Sequence, residues 1–426
     1  MLFFLDVLSN AKPKRLLFDN LSTRFSDADT GMPFFEDARI QHFARHSDKI
    51  AIKRQDIRSL QILLGLSCNF DCRYCHQRGL RHSSGVTPIT PDRVPGLIKL
   101  LKERDVRADR VSLRGGEPLV YWKTLSVLIP ALREIYPKAK IGFPTNGSLL
   151  TDEILNFLVR WNVGFTLSYD GRTTNRDRSI LDDPVVCDAL ARYSHRTGCS
   201  RSGLFVMPTV NRCYVSPADI YKEMSGKGIR VDDIAVYSIA RCNPFNNELA
   251  AEIEVPPQIA ATHSSLIYDI LHKRVPDLHL YRTLQNRFEY ALNSYYTGIV
   301  PECKFCSMCG NSIGGNITVD CTGEIWSCMN IPSGKLGNIA DENLSEVTSV
   351  YRQAYQRKPC RECPFILSCT GGCPLQPSDN SMSFKVNCAN LKIMAEPFFR
   401  TVVECLFGVY LKKIIRADTG TVVAEY

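Results

Sequence analysis

Cys68, Cys72 and Cys75 stand at x3 and x2 spacing in one short run, Cys68-Asn-Phe-Asp-Cys-Arg-Tyr-Cys75. Three thiolates this close are the donors of a soft metal centre. A 4Fe–4S cluster takes four ligands, usually cysteines, and no fourth cysteine is near. Three protein ligands leave one iron open to a substrate or cofactor, which suits chemistry rather than electron storage. Structural zinc is the competing reading, but it wants four ligands, commonly in two pairs. His76 would have to be the fourth, and its position directly beside Cys75 makes that geometry awkward.

A second constellation lies downstream. Of 18 cysteines, ten fall between Cys303 and Cys388. Cys360-x2-Cys363-x5-Cys369-x3-Cys373-x14-Cys388 is dense and ordered, and Cys303-x5-Cys309-x13-Gly323-x4-Cys328 precedes it. A pair of zinc knuckles is one reading, because Cys-x2-Cys pairs commonly build zinc ribbons. The scattered Cys187, Cys199, Cys213, Cys242 and Cys405 read as small buried hydrophobes.

The elements that must hold these residues alternate. Apolar runs at 60–66, 110–113, 140–143, 164–168, 204–207 and 233–237 read as strands. Helical periodicity over 94–102, 125–135 and 152–161 separates them. Strand–helix alternation predicts βαβ units and a parallel sheet. Six units fit an open, partial (β/α)6 TIM-like barrel, since a full eight-stranded barrel needs roughly 250 residues. The cysteine loop follows the first strand directly. The expected organisation is a lead-in over 1–58, the barrel over 59–245, a helical connection over 246–300, a small Cys-rich metal-stapled domain over 301–390, and a helix with a frayed tail over 391–426. The lead-in is either an edge cap of the barrel or a docking element for a leader peptide.

With 44% hydrophobic and 23% charged residues and a net charge of +8, the chain reads as a globular protein with modest preference for acidic partners. No basic run interleaved with aromatics supports nucleic-acid binding. The apolar start, Met1 to Leu8, lacks a basic n-region and a cleavage site, and no stretch reaches the roughly 18 apolar residues of a membrane span. The expectations are a cytoplasmic location and neither a nucleic-acid nor a membrane partner.

The first cysteine loop, with Tyr74 just before its last cysteine, resembles the signature of radical S-adenosylmethionine (SAM) enzymes. The resemblance implies that the open iron chelates SAM, which one electron cleaves to methionine and a 5′-deoxyadenosyl radical. Arg114-Gly-Gly-Glu-Pro118 lies about 40 residues on, at a strand end, and is similar to the family's segment for the SAM amino group. Thr145-Asn-Gly147 and Ser168-Tyr-Asp-Gly171 end the next strands, where parallel barrels gather their active sites. On this resemblance the SAM contacts are Tyr74, Gly115, Gly116, Glu117, Asn146, Ser168, Asp170 and Arg178. Plain solvated charge is the other reading of Arg178.

The downstream cysteines resemble the SPASM domain of peptide-modifying radical SAM enzymes, which carries two auxiliary 4Fe–4S clusters. The resemblance assigns Cys303, Cys309, Cys328 and Cys373 to one cluster, and Cys360, Cys363, Cys369 and Cys388 to the other. That makes three 4Fe–4S clusters and SAM in total. Cys306 and Cys321 depart from the pattern, and Cys306 competes with Cys303. The activity implied is maturation of a ribosomally made precursor peptide with a leader, in natural-product biosynthesis. A flavodoxin or ferredoxin type reductant would supply the electron. Sulfatase maturases of this family carry an Asp directly after the cysteine that matches Cys328, whereas Met329 and Asn330 stand here. The missing base points away from formylglycine formation and towards a carbon–carbon or ether cross-link. Formylglycine formation and a zinc-stapled binding protein remain the alternatives, and the catalytic acid or base is unassigned.

Overall fold

The computed structural model describes residues 1–35, 57–78, 80, 85–172, 176, 178–196, 204–234, 238–241, 247–297, 315–330, 334–341, 354–369 and 371–426. Three strands open the chain: β1 (Leu2–Ser9), β2 (Lys12–Asp19) and β3 (Arg24–Asp27). Six parallel strands follow, each short and half apolar: β4 (Ser59–Leu63), β5 (Arg110–Arg114), β6 (Lys140–Thr145), β7 (Val163–Leu167), β8 (Phe205–Val206) and, after β9 (Thr209–Val210) of a separate small sheet, β10 (Asp233–Ile234). They lie side by side in the order β10-β8-β7-β6-β5-β4. This is the α/β architecture with a six-stranded parallel core that the alternation predicts. The last part of the strand expected at 233–237 lies outside the described residues.

Helices α1 (Val94–Glu103), α2 (Trp122–Ile135), α3 (Asp152–Arg160), α4 (Pro184–Ser194) and α5 (Pro217–Gly226) fill the crossovers. The local reasons are visible in the sequence. Thr151 caps α3 by accepting from the Ile154 amide, and Asp152 and Glu153 complement the positive end of its dipole. Ile154, Leu155 and Leu158 then form the stripe it buries. In β5, Val111 and Leu113 are fully buried, while Arg110, Ser112 and Arg114 alternate onto the other face.

The described residues 247–297 carry α6 (Pro257–Leu271) and α7 (Arg282–Thr297). His263 of α6 is fully buried, in ring contact with Tyr214 at 5.1 Å. Burial lowers its pKa from 6.5 to about 4. The unfolded imidazole titrates near 6.5, so the stabilisation from keeping it neutral is complete above that value and is lost as pH falls towards about 4. The loss amounts to at most about 3 kcal/mol. Urea midpoints measured between pH 7 and pH 4 are expected to fall less steeply in His263→Leu than in the unaltered chain.

The Cys-rich region does not begin as a separate body. After β11 (Ser238–Ile239), which pairs with β9, β12 (Asn316–Val319) adds to the free side of β4, parallel and in register from Asn316 opposite Ser59 to Val319 opposite Ile62. Thr318 donates to the Gln61 side chain at 2.8 Å across this pair. The hairpin partners β13 (Glu324–Trp326) and β14 (Lys335–Asn338) complete a nine-stranded sheet.

Two expectations for the termini are corrected. The helix with a frayed tail expected over 391–426 is half right. Helix α8 (Met382–Phe407) ends at Gly408, in the left-handed conformation at φ 62°, and β15 (Tyr410–Arg416) follows. The tail after Asp418 is not frayed: it forms β16 (Val422–Glu425), paired with β15. Nor do residues 1–27 cap the barrel edge. They join these strands in a separate antiparallel sheet ordered β16-β15-β1-β2-β3. Helix α8 packs on that sheet through Phe399 on Phe18 at 5.0 Å and Phe407 on Phe25 at 5.2 Å. Asn20 in turn donates to the carbonyls of Arg361, at 3.0 Å, and Cys363, at 2.7 Å. The terminal sheet therefore buttresses the turn that carries the downstream cysteines.

Candidate functional site

Cys68, Cys72 and Cys75 follow β4 and line one cavity of about 290 Å³ at the carboxyl ends of the parallel strands. Gly116, Glu117, Thr145, Asn146, Ser168 and Thr209 line it from the ends of β5, β6, β7 and β9. The glycines let β5 approach the cysteine loop. A Cβ on Gly116 would fall inside contact distance of the Ser67 and Leu66 carbonyl oxygens, and one on Gly115 would strike the Gly65 carbonyl. These are backbone atoms and cannot step aside. Gly116→Ala is expected to cost about 1–3 kcal/mol in a denaturant titration, through overpacking alone.

Glu117 is buried, and its carboxylate accepts from three donors: Leu119 N at 3.0 Å, Thr145 Oγ1 at 2.7 Å and Asn146 N at 2.7 Å. Burial raises its pKa, and these three hydrogen bonds oppose the rise. The carboxylate is thus engaged in pinning the end of β6 to the end of β5. Asn146 is engaged too. Its Nδ2 donates to Asn69 Oδ1 at 2.9 Å, and Asn69 donates to Ser148 at 2.8 Å, so β6 grips the cysteine loop from inside its own sequence.

A second clamp joins the loop to β7. Tyr74 hydrogen-bonds Asp170, and Arg176 donates to Tyr74 Oη at 2.8 Å while pairing with Asp170 at 3.3 Å. Asp170 also accepts from Thr209 N at 2.8 Å. Burial works against the Arg176 charge, but Asp170, Tyr74 and Cys72 outweigh it and raise its pKa. Burial above all raises that of Tyr74.

Of the eight expected SAM contacts, Tyr74, Gly116, Glu117, Asn146 and Ser168 line the cavity. Gly115 and Asp170 stand behind them. Arg178 is exposed and lies over the Phe70 ring at 5.2 Å. The buried arginine at the cavity is Arg176, two residues before the arginine expected there, in the 175–178 segment that the sequence marks as a continuation of the site. Its signal was its place six residues after Asp170, on the segment leaving β7. Asn330 reaches the same cavity from the Cys-rich region and hydrogen-bonds His76. Burial first, then the Arg241 charge, lowers the His76 pKa to about 4.

Downstream, the structure draws Cys360, Cys363, Cys369 and Cys388 together closely enough that their charges oppose one another. Burial pushes the Cys360 thiol up to about 12 and the Cys363 thiol to about 11, and raises that of Cys369. Cys373 is likewise pushed up to about 11 by burial and then by Cys328. Buried arginine Arg357 holds this turn by donating to the Gly371 carbonyl at 2.8 Å and that of Cys373 at 2.5 Å. For Cys360, Cys363, Cys369 and Cys373 alike, burial is the largest cause of the rise, ahead of the neighbouring thiols. Cys303, Cys306 and Cys309 lie outside the described residues. Cys321 stands apart, buried between β12 and β13 with its thiol 3.6 Å from the Thr87 carbonyl. Cys187 is buried as expected, but Cys405 is exposed on α8.

Residues 62–211, from β4 through β9, match the radical SAM superfamily. The radical SAM cyclopropyl synthase TigE of Paramaledivibacter caminithermalis is 28% identical over 158 residues, 34% of this chain and 33% of that one. The chain thus spans about a third of the length of that relative. The serine-type anaerobic sulfatase-maturating enzyme of Bacteroides thetaiotaomicron is 23% identical over 348 residues, 73% of this chain and 81% of its own. Native anSMEcpe, solved with bound AdoMet and Cp18Cys peptide, superposes with a TM-score of 0.56 at 17% identity, over 82% of this chain and 98% of that one. At that identity the likeness is one of fold. The family match falls on the segment that carries the three-thiol loop and the strand ends facing it, and residues 62–211 are a match to the radical SAM superfamily.

Proposed function

We propose that the chain matures a ribosomally made precursor peptide by radical chemistry, forming a carbon–carbon or ether cross-link between side chains. The observation that carries this is the chemistry of the cavity wall. Among the described residues that line it, Glu117 is the one carboxylate, and it is saturated by three donors. Asp170, behind the wall, is spent on Tyr74, Arg176 and Thr209. From the Cys-rich side the cavity receives the Asn330 amide rather than an acid. Both reactions give one hydrogen atom to the radical and then release a proton and an electron. Formylglycine maturation takes its proton from the substrate hydroxyl or thiol with a carboxylate base, which this wall does not offer, whereas a cross-link would pass its electron to an auxiliary cluster and its proton to water.

The residues fit the implied cofactors. Cys68, Cys72 and Cys75 would ligate three irons of a 4Fe–4S cluster, with Gly116, Asn146, Ser168 and Arg176 around the space left for SAM. Bound there, cluster and SAM supply a 5′-deoxyadenosyl radical that abstracts hydrogen. The chain's own part is to hold the loop through Asn146 and Tyr74 and to seal the wall. Cys360, Cys363, Cys369 and Cys388 would hold one auxiliary cluster, and Cys328 and Cys373, with Cys303 and Cys309, another. Either could take the surplus electron, and a flavodoxin or ferredoxin type protein would deliver the first one. The peptide reading draws support from the sulfatase-maturating relative and from the peptide bound to anSMEcpe. The cyclopropyl synthase relative supports ring or bond formation.

Co-expression with candidate precursor peptides tests the reading by mass spectrometry. A loss of two hydrogens, mapped by fragmentation to a pair of residues, is expected. Conversion of a Ser or Cys to an aldehyde would instead establish sulfatase-type maturation, which the match over 348 residues favours.

A further inference from the structure

A second cavity, of about 400 Å³, adjoins the first. It lies against the face of β5, β6, β7 and β8 that carries Arg110, Ser112 and Arg114, and Pro144 lines both spaces. Its character is one-sided. Arg110, Arg114 and Lys140 line it, and none of the described residues lining it is acidic. Gly142 and Gly164, in register on neighbouring strands, line it too. Arg110 and Lys140 are exposed at one end. Arg114 differs: it sits at the end nearer the thiol loop, directly before Gly115 and Gly116. Its Nε is buried with no hydrogen-bond partner, and no carboxylate among the described residues pairs with it. Burial alone lowers its pKa. A guanidinium half-buried, with its Nε desolvated and no counter-charge, is costly, and a planar two-oxygen anion is the ligand its fork fits.

We propose that Arg114 is a carboxylate receptor that positions the peptide substrate by an acidic group, so that the bound residue or its neighbour faces the thiol-lined cavity past Pro144. This rests on the peptide reading above. The acidic group is either an Asp or Glu side chain or a terminal carboxylate. The site selects for acidity near the modified residue, and neutral isosteres bind poorly because they leave the charge unpaired.

The test is binding without turnover, on the full, cluster-loaded chain. Saturation-transfer NMR follows N-acetylglutamate α-amide, N-acetylglycine and the neutral N-acetylglutamine α-amide. Saturable binding of a carboxylate ligand is expected, at least tenfold tighter than the neutral one, with Arg114→Gln erasing the difference and Arg114→Lys retaining part of it. Preference between the two acids tells a side-chain from a terminal carboxylate. Equal binding of acid and amide overturns the proposal. So does release of the acid by saturating SAM, because SAM's own carboxylate then occupies Arg114. The melting temperature of Arg114→Gln should hold or rise, as an unpaired half-buried charge is removed; a fall of several degrees makes Arg114 structural and overturns the proposal. A chain that binds the acid through Arg114 but modifies no peptide keeps the receptor and loses the peptide reading. Peptide modification without Arg114-dependent binding has the opposite meaning.

Discussion

Cys72→Ala is expected to abolish SAM cleavage to 5′-deoxyadenosine while leaving most of the iron in place. The three four-iron clusters proposed above would give about twelve iron per chain, and loss of the first would leave about eight. The physical basis is that, on the proposed assignment, this loop alone would supply ligands to its cluster, with no fourth cysteine close to it in sequence. Two remaining thiolates do not hold a cluster that already has one open iron. Cys373 and Cys363 lie on turns held by Arg357 and by Asn20, and the substitution touches neither. Cys187→Ala is the control, since that thiol is buried beside the Leu181 carbonyl at 3.2 Å and should leave iron and cleavage unchanged. Iron analysis with product chromatography after anaerobic reconstitution reads both quantities. Cleavage retained in Cys72→Ala, or zinc in place of iron in the unaltered chain, contradicts the assignment.

Asp170→Ala is expected to lower stability by about 3–5 kcal/mol, the cost of leaving a buried charge without its partner. Arg176 and Asp170 are almost wholly buried, and Tyr74 hydrogen-bonds both. Removing the carboxylate strands the guanidinium and frees Tyr74, whose ring lies between two of the three loop cysteines in sequence. SAM cleavage should therefore fall further than the loss of folded protein explains. The double change Asp170→Ala with Arg176→Met separates the two effects. Replacing a buried ion pair by apolar groups is often neutral, so most of the stability should return while cleavage stays low. Urea titration and cleavage rates per folded chain measure the pair. Full recovery of cleavage in the double variant would show that the clamp only stabilises the fold.

The three-thiol loop and the six βα units could be read directly from the chain. Thiol spacing is a local property, and strand–helix alternation writes its period into ten or fifteen residues at a time. The Gly-Gly-Glu segment was legible for the same reason, although its Glu117 proved to be a pin between strands. What the chain hid are pairings between distant segments. β12 is four residues long and pairs with a strand more than 250 positions earlier. The opening hairpin finds its neighbour in β15, at the other end of the chain. Neither pairing leaves a periodic trace, because short strands take their order from the surface they meet.

The same division runs through the site. Sequence determined which atoms are available: three thiols after a strand, glycines where the backbone must pass close, and an amide at position 330. Tertiary structure decided which of them face the cavity. It chose Arg176 over Arg178, because the segment after β7 turns one arginine onto Asp170 and leaves the other over Phe70 in solvent. It also brought Asn330 from the Cys-rich region to the mouth of the parallel strands. Burial and counter-charge are relations among residues far apart in the chain, and they exist only once the strands have taken their places.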